Sequence, residues 1–498
     1  MIDNSFYILI KCYQSILEYF NMSKQVVGSI FDYYHIRAMH STIFNVCKMK
    51  KSLLILIPVI GIILYGGCTY DYDLTLDNQL KDALNTHSET GHYSAYIMPA
   101  SNDYAALPNQ DPKNPVTAEK VALGKMLFFE TGLGLEAKNP VSLRTYSCSS
   151  CHIPARAFTA GRFQGIADGA IGFGMSGEGR KINPLYTGDQ VDAQGARPLT
   201  IINTAYVTNA LWAGSFGSFN VNTGTESVWH QDTLIEINFK GLMGLEANNA
   251  RALAVHRQVI NEAVVDSLGY KDMFDAAFPD IPENERYNRI TGSYALAAYF
   301  RTVLANEAPF QMWLKGNEKA LSDQQKRGAI LFFGKAGCVH CHNSPSLNSD
   351  PHKFFALGVR NEFQNNNLVF RTDRYDNRNL GRGGFTGLYE DRHKFKVPQL
   401  YNLKDFGFYF HGASKTTVKQ VVEYFNEAET ENPDVPITQI STYFKPLHLT
   451  KDEISDLVEF LEEGLYDPNI TRYAPDQVLS GYCFPDNDPV SQVDLGCK

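Results

Sequence analysis

The chain has little charge for its length. Charged residues are 20% of 498, the formal net charge is −9, and no block of Lys or Arg occurs, which speaks against a nucleic-acid partner. The apolar run Leu53–Leu64 has 12 residues, short of the roughly 20 a spanning helix needs. Nine cysteines are too few for a disulfide scaffold in a chain this long. No methionine lies beyond Met312, and no histidine lies between His152 and Trp212. What is present is core material: 44% apolar and 12% aromatic residues, which excludes disorder, collagen and coiled coil as the main architecture.

Lys48, Lys50 and Lys51 precede the apolar run, and Gly66-Gly67-Cys68 follows it. That order describes a secretory signal, with Cys68 placed as a lipidated first residue. Tyr65 departs from the aliphatic residue usual in such a site, and an ordinary cut near Gly67 is the other reading. Met49 starts a cleaner signal than Met1, so residues 1–48 read as an over-extended start. Losing residues 1–67 removes six basic and three acidic residues and takes the net charge from −9 to −12.

The remainder repeats itself. Gly124-Lys-Met-Leu-Phe-Phe129 precedes Cys148-Ser-Ser-Cys151-His152, and Gly328-Ala-Ile-Leu-Phe-Phe333 precedes Cys338-Val-His-Cys341-His342. Downstream, Trp212 begins Trp-Ala-Gly nine residues after Asn203, and His411 begins His-Gly-Ala nine residues after Asn402. Features in parallel order at near-equal spacing argue for two copies of one domain. Apolar periodicity and capping boxes predict helices over 117–129, 251–266, 287–305, 322–333, 416–426 and 450–464. Residues 159–195 and 343–395 read as long surface loops, and 305–319 as the linker between halves.

A CxxC pair can be a redox disulfide, half a zinc site or a haem attachment. A histidine directly after the second cysteine favours haem: both thiols bond the vinyl groups and the histidine reaches iron from below. The pairs lie 190 residues apart, each with its own histidine and with no third pair, which does not suit zinc. Cys148, Cys151, Cys338 and Cys341 are therefore expected to hold two c-type haems, with His152 and His342 as proximal iron ligands. The second half lacks a methionine of its own, so its haem is not an ordinary His/Met centre. The histidine gap after His152 leaves the first haem an open distal face, unless His230 folds back over it.

These motifs resemble the bacterial di-haem cytochrome c peroxidases and the related MauG-type enzymes. The resemblance covers roughly residues 97–466 and includes Ala157-Phe-Thr159, Leu211-Trp-Ala-Gly214, Arg301-Thr-Val-Leu304, Phe395-Lys-Val-Pro398 and Tyr409-Phe-His-Gly412. It implies an all-α fold, mainly helical with long loops, of two tandem cytochrome-c-like domains carrying one haem each. The expected divisions are signal and over-extended start 1–67, linker 68–96, peroxidatic domain 97–305, electron-transfer domain 306–470, and a tail 471–498. In the tail Cys483 and Cys497 can form a disulfide, or its acidic residues can bind calcium.

The resemblance further implies Trp212 as the relay between haems and Glu246 as the acid/base over the open iron. It places the sixth ligand of the second haem at Phe425, which cannot ligate, so Tyr424 is the candidate, with His352, His393, His448 or no ligand as alternatives. Arg197 stands where the family has a calcium-binding Asn, so that calcium site is expected to be altered or absent. The function implied is reduction of hydrogen peroxide with electrons from a small cytochrome or cupredoxin, in an exported, periplasmic or envelope lipoprotein held at the membrane by its lipid. A MauG-type oxidation of a partner protein and a non-catalytic electron-transfer cytochrome are the alternatives.

Overall fold

The computed structural model describes residues 75–365 and 367–497. The signal-like run and Cys68 lie outside them. Helix α1 spans Leu76–His87, α2 Ala118–Phe129, α3 Gly244–Val255, α4 Arg289–Thr302, α5 Pro309–Leu314, α6 Asp323–Phe333, α7 Val418–Glu427 and α8 Lys451–Glu459. Among the described residues strand is confined to two short antiparallel pairs, Ala170–Ile171 with Lys181–Ile182 and Phe354–Phe355 with Phe395–Lys396. Caps set the helix starts: Ser322 with Gln325 at α6 and Thr450 with Glu453 at α8 form capping boxes. Among the described residues no helix is long and apolar enough to cross a membrane.

The sequence repeat is a structural repeat. In the first half α2 packs on α4; in the second α6 packs on α8. Each crossing is made close by a glycine. A Cβ on Gly124 would lie 1.9 Å from the Ala295 carbonyl oxygen, and one on Gly328 would lie 2.0 Å from that of Asp456. The last turn of each first helix then brings Phe128 to 6.4 Å from the His152 ring and Phe332 to 6.3 Å from the His342 ring. Asn203 and Asn402 both take left-handed backbone, φ 60° and 57°, a conformation Asn tolerates better than most residues. Both use their side chains to hold the chain that follows the second packed helix, at Ala305 and at Asp467.

Four stretches depart from the sequence expectation. The helix expected over 251–266 starts at Gly244 and stops at Val255, because Arg257 takes φ 56° and Asn261 caps a separate helix, Glu262–Ser267. The stretch 305–319, expected as the linker between halves, is packed. It holds α5, whose Phe310 and Trp313 are buried, and whose Gln311 bonds Met98, Tyr96 and Tyr401. Within 68–96, α1 buries Leu80 and Leu84 against α6, and Asp77 accepts from Trp313 Nε1 and Lys326 Nζ. The Gly-rich loop 159–195 also packs inward, with Gln164, Asp168 and Val191 fully buried.

The tail closes back on the first half. Cys483 and Cys497 form a disulfide with Cα atoms 6.0 Å apart. Ser147 and Ser150 donate to the Pro485 carbonyl, and Asp486 accepts from Ser150 and pairs with Arg180 at 2.5 Å in a fully buried contact. The tail thereby braces the backbone turn that carries Cys148.

Candidate haem cavity

One cavity of about 1160 Å³ is lined by Cys148, Cys151 and His152 and also by Cys338, Cys341 and His342. That exceeds the roughly 300–1,000 Å³ of a single small-molecule site. Short 3₁₀ turns, Cys148–Ser150 and Cys338–His340, present the two thiols of each motif. All four thiols are free. Burial pushes Cys148 and Cys338 up to about 12 and Cys341 up to about 11, and raises Cys151 as well.

The two histidines are held alike. His152 Nδ1 donates to the Phe158 carbonyl at 3.1 Å, and His342 Nδ1 to the Leu347 carbonyl at 2.6 Å. Donation through Nδ1 leaves Nε2 as the free donor atom for a metal. Burial lowers both imidazoles to about 4, so both are neutral at ordinary pH. Each motif can therefore hold a c-type haem: two thiols on one wall and a fixed, neutral imidazole beside them.

An aromatic array also lines the cavity. Trp212 is half-buried and lines the cavity; its Nε1 donates to the Arg197 carbonyl at 2.8 Å. The His411 ring lies 6.2 Å from the Trp212 ring and is stacked on Phe395 at 3.5 Å. His411 Nε2 donates to Asn361 Oδ1 at 2.8 Å, and burial lowers the ring to about 3.

Comparison with known proteins agrees with this geometry. Residues 118–319 match the family model described as di-haem cytochrome c peroxidase. Cytochrome-c peroxidase IdrP1 of Denitromonas iodatirespirans is 32% identical over 369 residues, which are 70% of this chain and 82% of that protein. The chain belongs to the di-haem cytochrome c peroxidase and MauG family. Methylamine utilization protein MauG of Methylorubrum extorquens is 28% identical over 71% of this chain and 80% of its own. A solved MauG-like protein associated with microbial copper homeostasis shares the fold, with a TM-score of 0.53 at 23% identity, over 76% of this chain and 97% of its own. Two cytochrome-c-like domains in a mainly helical chain are the fold of this family.

Against that frame two expected site residues are displaced. Glu246 is completely buried and does not line the cavity. Arg301 clasps it, Nη1 to Oε1 at 2.6 Å and Nη2 to Oε2 at 3.0 Å, and Asn114 donates to it at 2.9 Å. Both oxygens of the carboxylate are thereby engaged, and the residues of α3 that line the cavity are Leu245, Asn248, Asn249, Arg251, Ala252 and Val255. Tyr424 is also turned away. Its hydroxyl donates to the Leu357 carbonyl at 2.6 Å and its ring packs on Phe444, while Phe425, about 100° round the helix, lines the cavity. The aligned position was the one that faces in; its oxygen-bearing neighbour does not.

His230 does not fold back. It is exposed, stacked on Phe239 at 4.3 Å. Besides His152, the first-half histidine that lines the cavity is His256, at the end of α3, with Nδ1 on Asp192 Oδ2 at 2.8 Å. The sequence reading missed it because it falls inside the helix expected over 251–266, whose break only Arg257 reveals. Arg197, at the family's calcium position, sets its guanidinium on the Phe410 carbonyl at 2.9 Å and the Pro198 carbonyl at 3.3 Å, over the Trp212 ring.

Proposed function

We propose that the chain is a di-haem peroxidase that reduces hydrogen peroxide to water, with electrons from a small donor cytochrome or cupredoxin. In this reading Cys148, Cys151 and His152 hold the peroxide-reacting haem, and Cys338, Cys341 and His342 hold the haem that takes electrons from outside. The observation that carries it is the single cavity onto which both motifs open, with the touching rings of Trp212 and His411 also on its wall. When bound, each haem supplies an iron that exchanges single electrons and, with an open face, binds peroxide.

The chain's own residues do the rest. The Phe158 and Leu347 carbonyls fix the two imidazoles, and Trp212 offers an aromatic bridge anchored at both its indole nitrogen and its backbone oxygen, the latter on Lys396 N at 2.8 Å. The MauG-type reading drew on a tyrosine ligand at the second haem, and Tyr424 does not reach the cavity. Peroxide reduction therefore stands ahead of it. The basic, apolar and small residues of 48–68 support export, with Cys68 as the lipidated anchor of an envelope protein.

Peroxide consumption by the haem-loaded protein, with a reduced small cytochrome or cupredoxin as donor, is the direct test. Turnover together with a high-spin ferric signal in the EPR of the oxidised protein supports the reading. Absence of turnover with every small carrier, pre-reduced or not, sinks it. Two low-spin haems alone leave the electron-transfer cytochrome.

A further inference from the structure

If Glu246 is locked on Arg301, another group must move the proton when the O–O bond breaks. The cavity-facing side of α3 carries Leu245, Asn248, Asn249, Arg251, Ala252 and Val255 and runs on to His256 at its C-cap, with Leu245, Asn248, Ala252 and His256 spaced by three and four residues along one helix face. Along that stripe His256 is the group able both to take and to give a proton near neutral pH. Its Nδ1 is fixed on the buried carboxylate of Asp192 at 2.8 Å, and Asp192 lines the cavity beside it. A carboxylate on one nitrogen of an imidazole sets tautomer and orientation and leaves the other nitrogen as base. Asn249 adds a buried Nδ2 with no hydrogen-bond partner on the same cavity wall, a donor open to a bound oxygen.

The charged groups that bear on His256 are Asp192, Arg257 and Arg371. Burial works against the charged ring, but Asp192 outweighs it and raises the imidazole above its ordinary value. His230 and Glu246 lie elsewhere.

We propose that His256, positioned by Asp192, is the acid/base that moves the proton when peroxide is cleaved above His152. The proposal rests on the peroxidase reading and names the group that reading lacks. One oxygen of hydrogen peroxide gives its proton to Nε2. The proton passes to the other oxygen as the O–O bond breaks, and that oxygen leaves as water. The remaining oxygen takes two electrons from the reduced donor protein and two protons from solvent, and leaves as a second water.

The test uses the haem-loaded protein and its His256→Gln and Asp192→Asn variants, each checked for two covalent haems. Stopped-flow absorbance follows the reaction with peroxide and, separately, the capture of hydrogen cyanide, which must also lose a proton to bind. The expected result is a loss of about a hundredfold or more in both rates for His256→Gln, with an unchanged resting EPR spectrum. Asp192→Asn should lose about tenfold in both. Rates unchanged in both variants overturn the proposal. A resting spectrum that changes from low to high spin in His256→Gln also overturns it, because His256 is then an iron ligand. A wild-type protein inert towards peroxide defeats the peroxidase reading itself, whereas an active wild type with unaffected variants defeats only the role of His256.

Discussion

Trp212 and His411 occupy the same point of the two repeats, nine residues past Asn203 and Asn402, and their rings meet at 6.2 Å with an interplanar angle of 71°. The repeat thus brings like point against like point where the two halves meet, and makes an indole one side and an imidazole the other. Arg197 ties the pair together: its carbonyl accepts from Trp212 Nε1, and its N–H donates to the His411 carbonyl at 2.7 Å. His411 is buried and neutral at ordinary pH, so no charge on the imidazole opposes a positive hole on the indole.

Trp212→Phe keeps an aromatic ring but loses the indole and its hydrogen bond. Both haem spectra should remain, and steady-state peroxide turnover should fall more than about tenfold, a barrier increase of about 1.4 kcal/mol. Unchanged turnover would make Trp212 a packing residue.

Tyr424→Phe should leave the visible spectrum of the second haem as it is, since the hydroxyl is spent on the Leu357 carbonyl. The loss expected is in stability, about 1 kcal/mol for one buried hydrogen bond, read from denaturant unfolding. A spectral shift would return Tyr424 to the iron. Of the tyrosines on the cavity wall, Tyr409 donates to the Leu403 carbonyl, whereas Tyr443 is exposed, so Tyr443→Phe is the companion measurement.

Glu246→Ala should destabilise the protein by about 3–5 kcal/mol, because it strands the Arg301 guanidinium in the core; Arg301 and Glu246 are 1% and 0% exposed. Equilibrium unfolding checks this. A fully stable but catalytically dead Glu246 variant would contradict the structural role.

Glu362 supplies a pH test. Burial raises its carboxyl from 4.5 to about 8, against the opposing pull of Arg378 and Arg197. The folded chain therefore holds a proton that the unfolded chain releases, so this group's contribution to stability falls as pH rises from about 4.5 to about 8, with a limiting slope of about 1.4 kcal/mol per unit. Glu362→Gln removes that dependence. Its stability relative to wild type should rise across the window and level off above it, as followed by unfolding at a series of pH values.

How much was legible in the sequence follows from the range of each signal. The repeat, the CxxCH pairs and the capped helices are local patterns, and covalent spacing alone puts two thiols and an imidazole together. Family membership and the mainly helical fold followed from them. Side-chain direction was not local in this sense. Glu246 and Asn248 lie two residues apart on α3, and Tyr424 and Phe425 one apart on α7, yet which of each faces the cavity depended on where Arg301 and Leu357 stood in space. His256 was hidden by a helix break that only the backbone at Arg257 discloses, and its partner Asp192 comes from 64 residues away. Sequence by itself determined the paired CxxCH motifs, because that pattern is written in contiguous residues; tertiary structure decided which other groups line the cavity with them, because its walls are built by elements far apart in the chain.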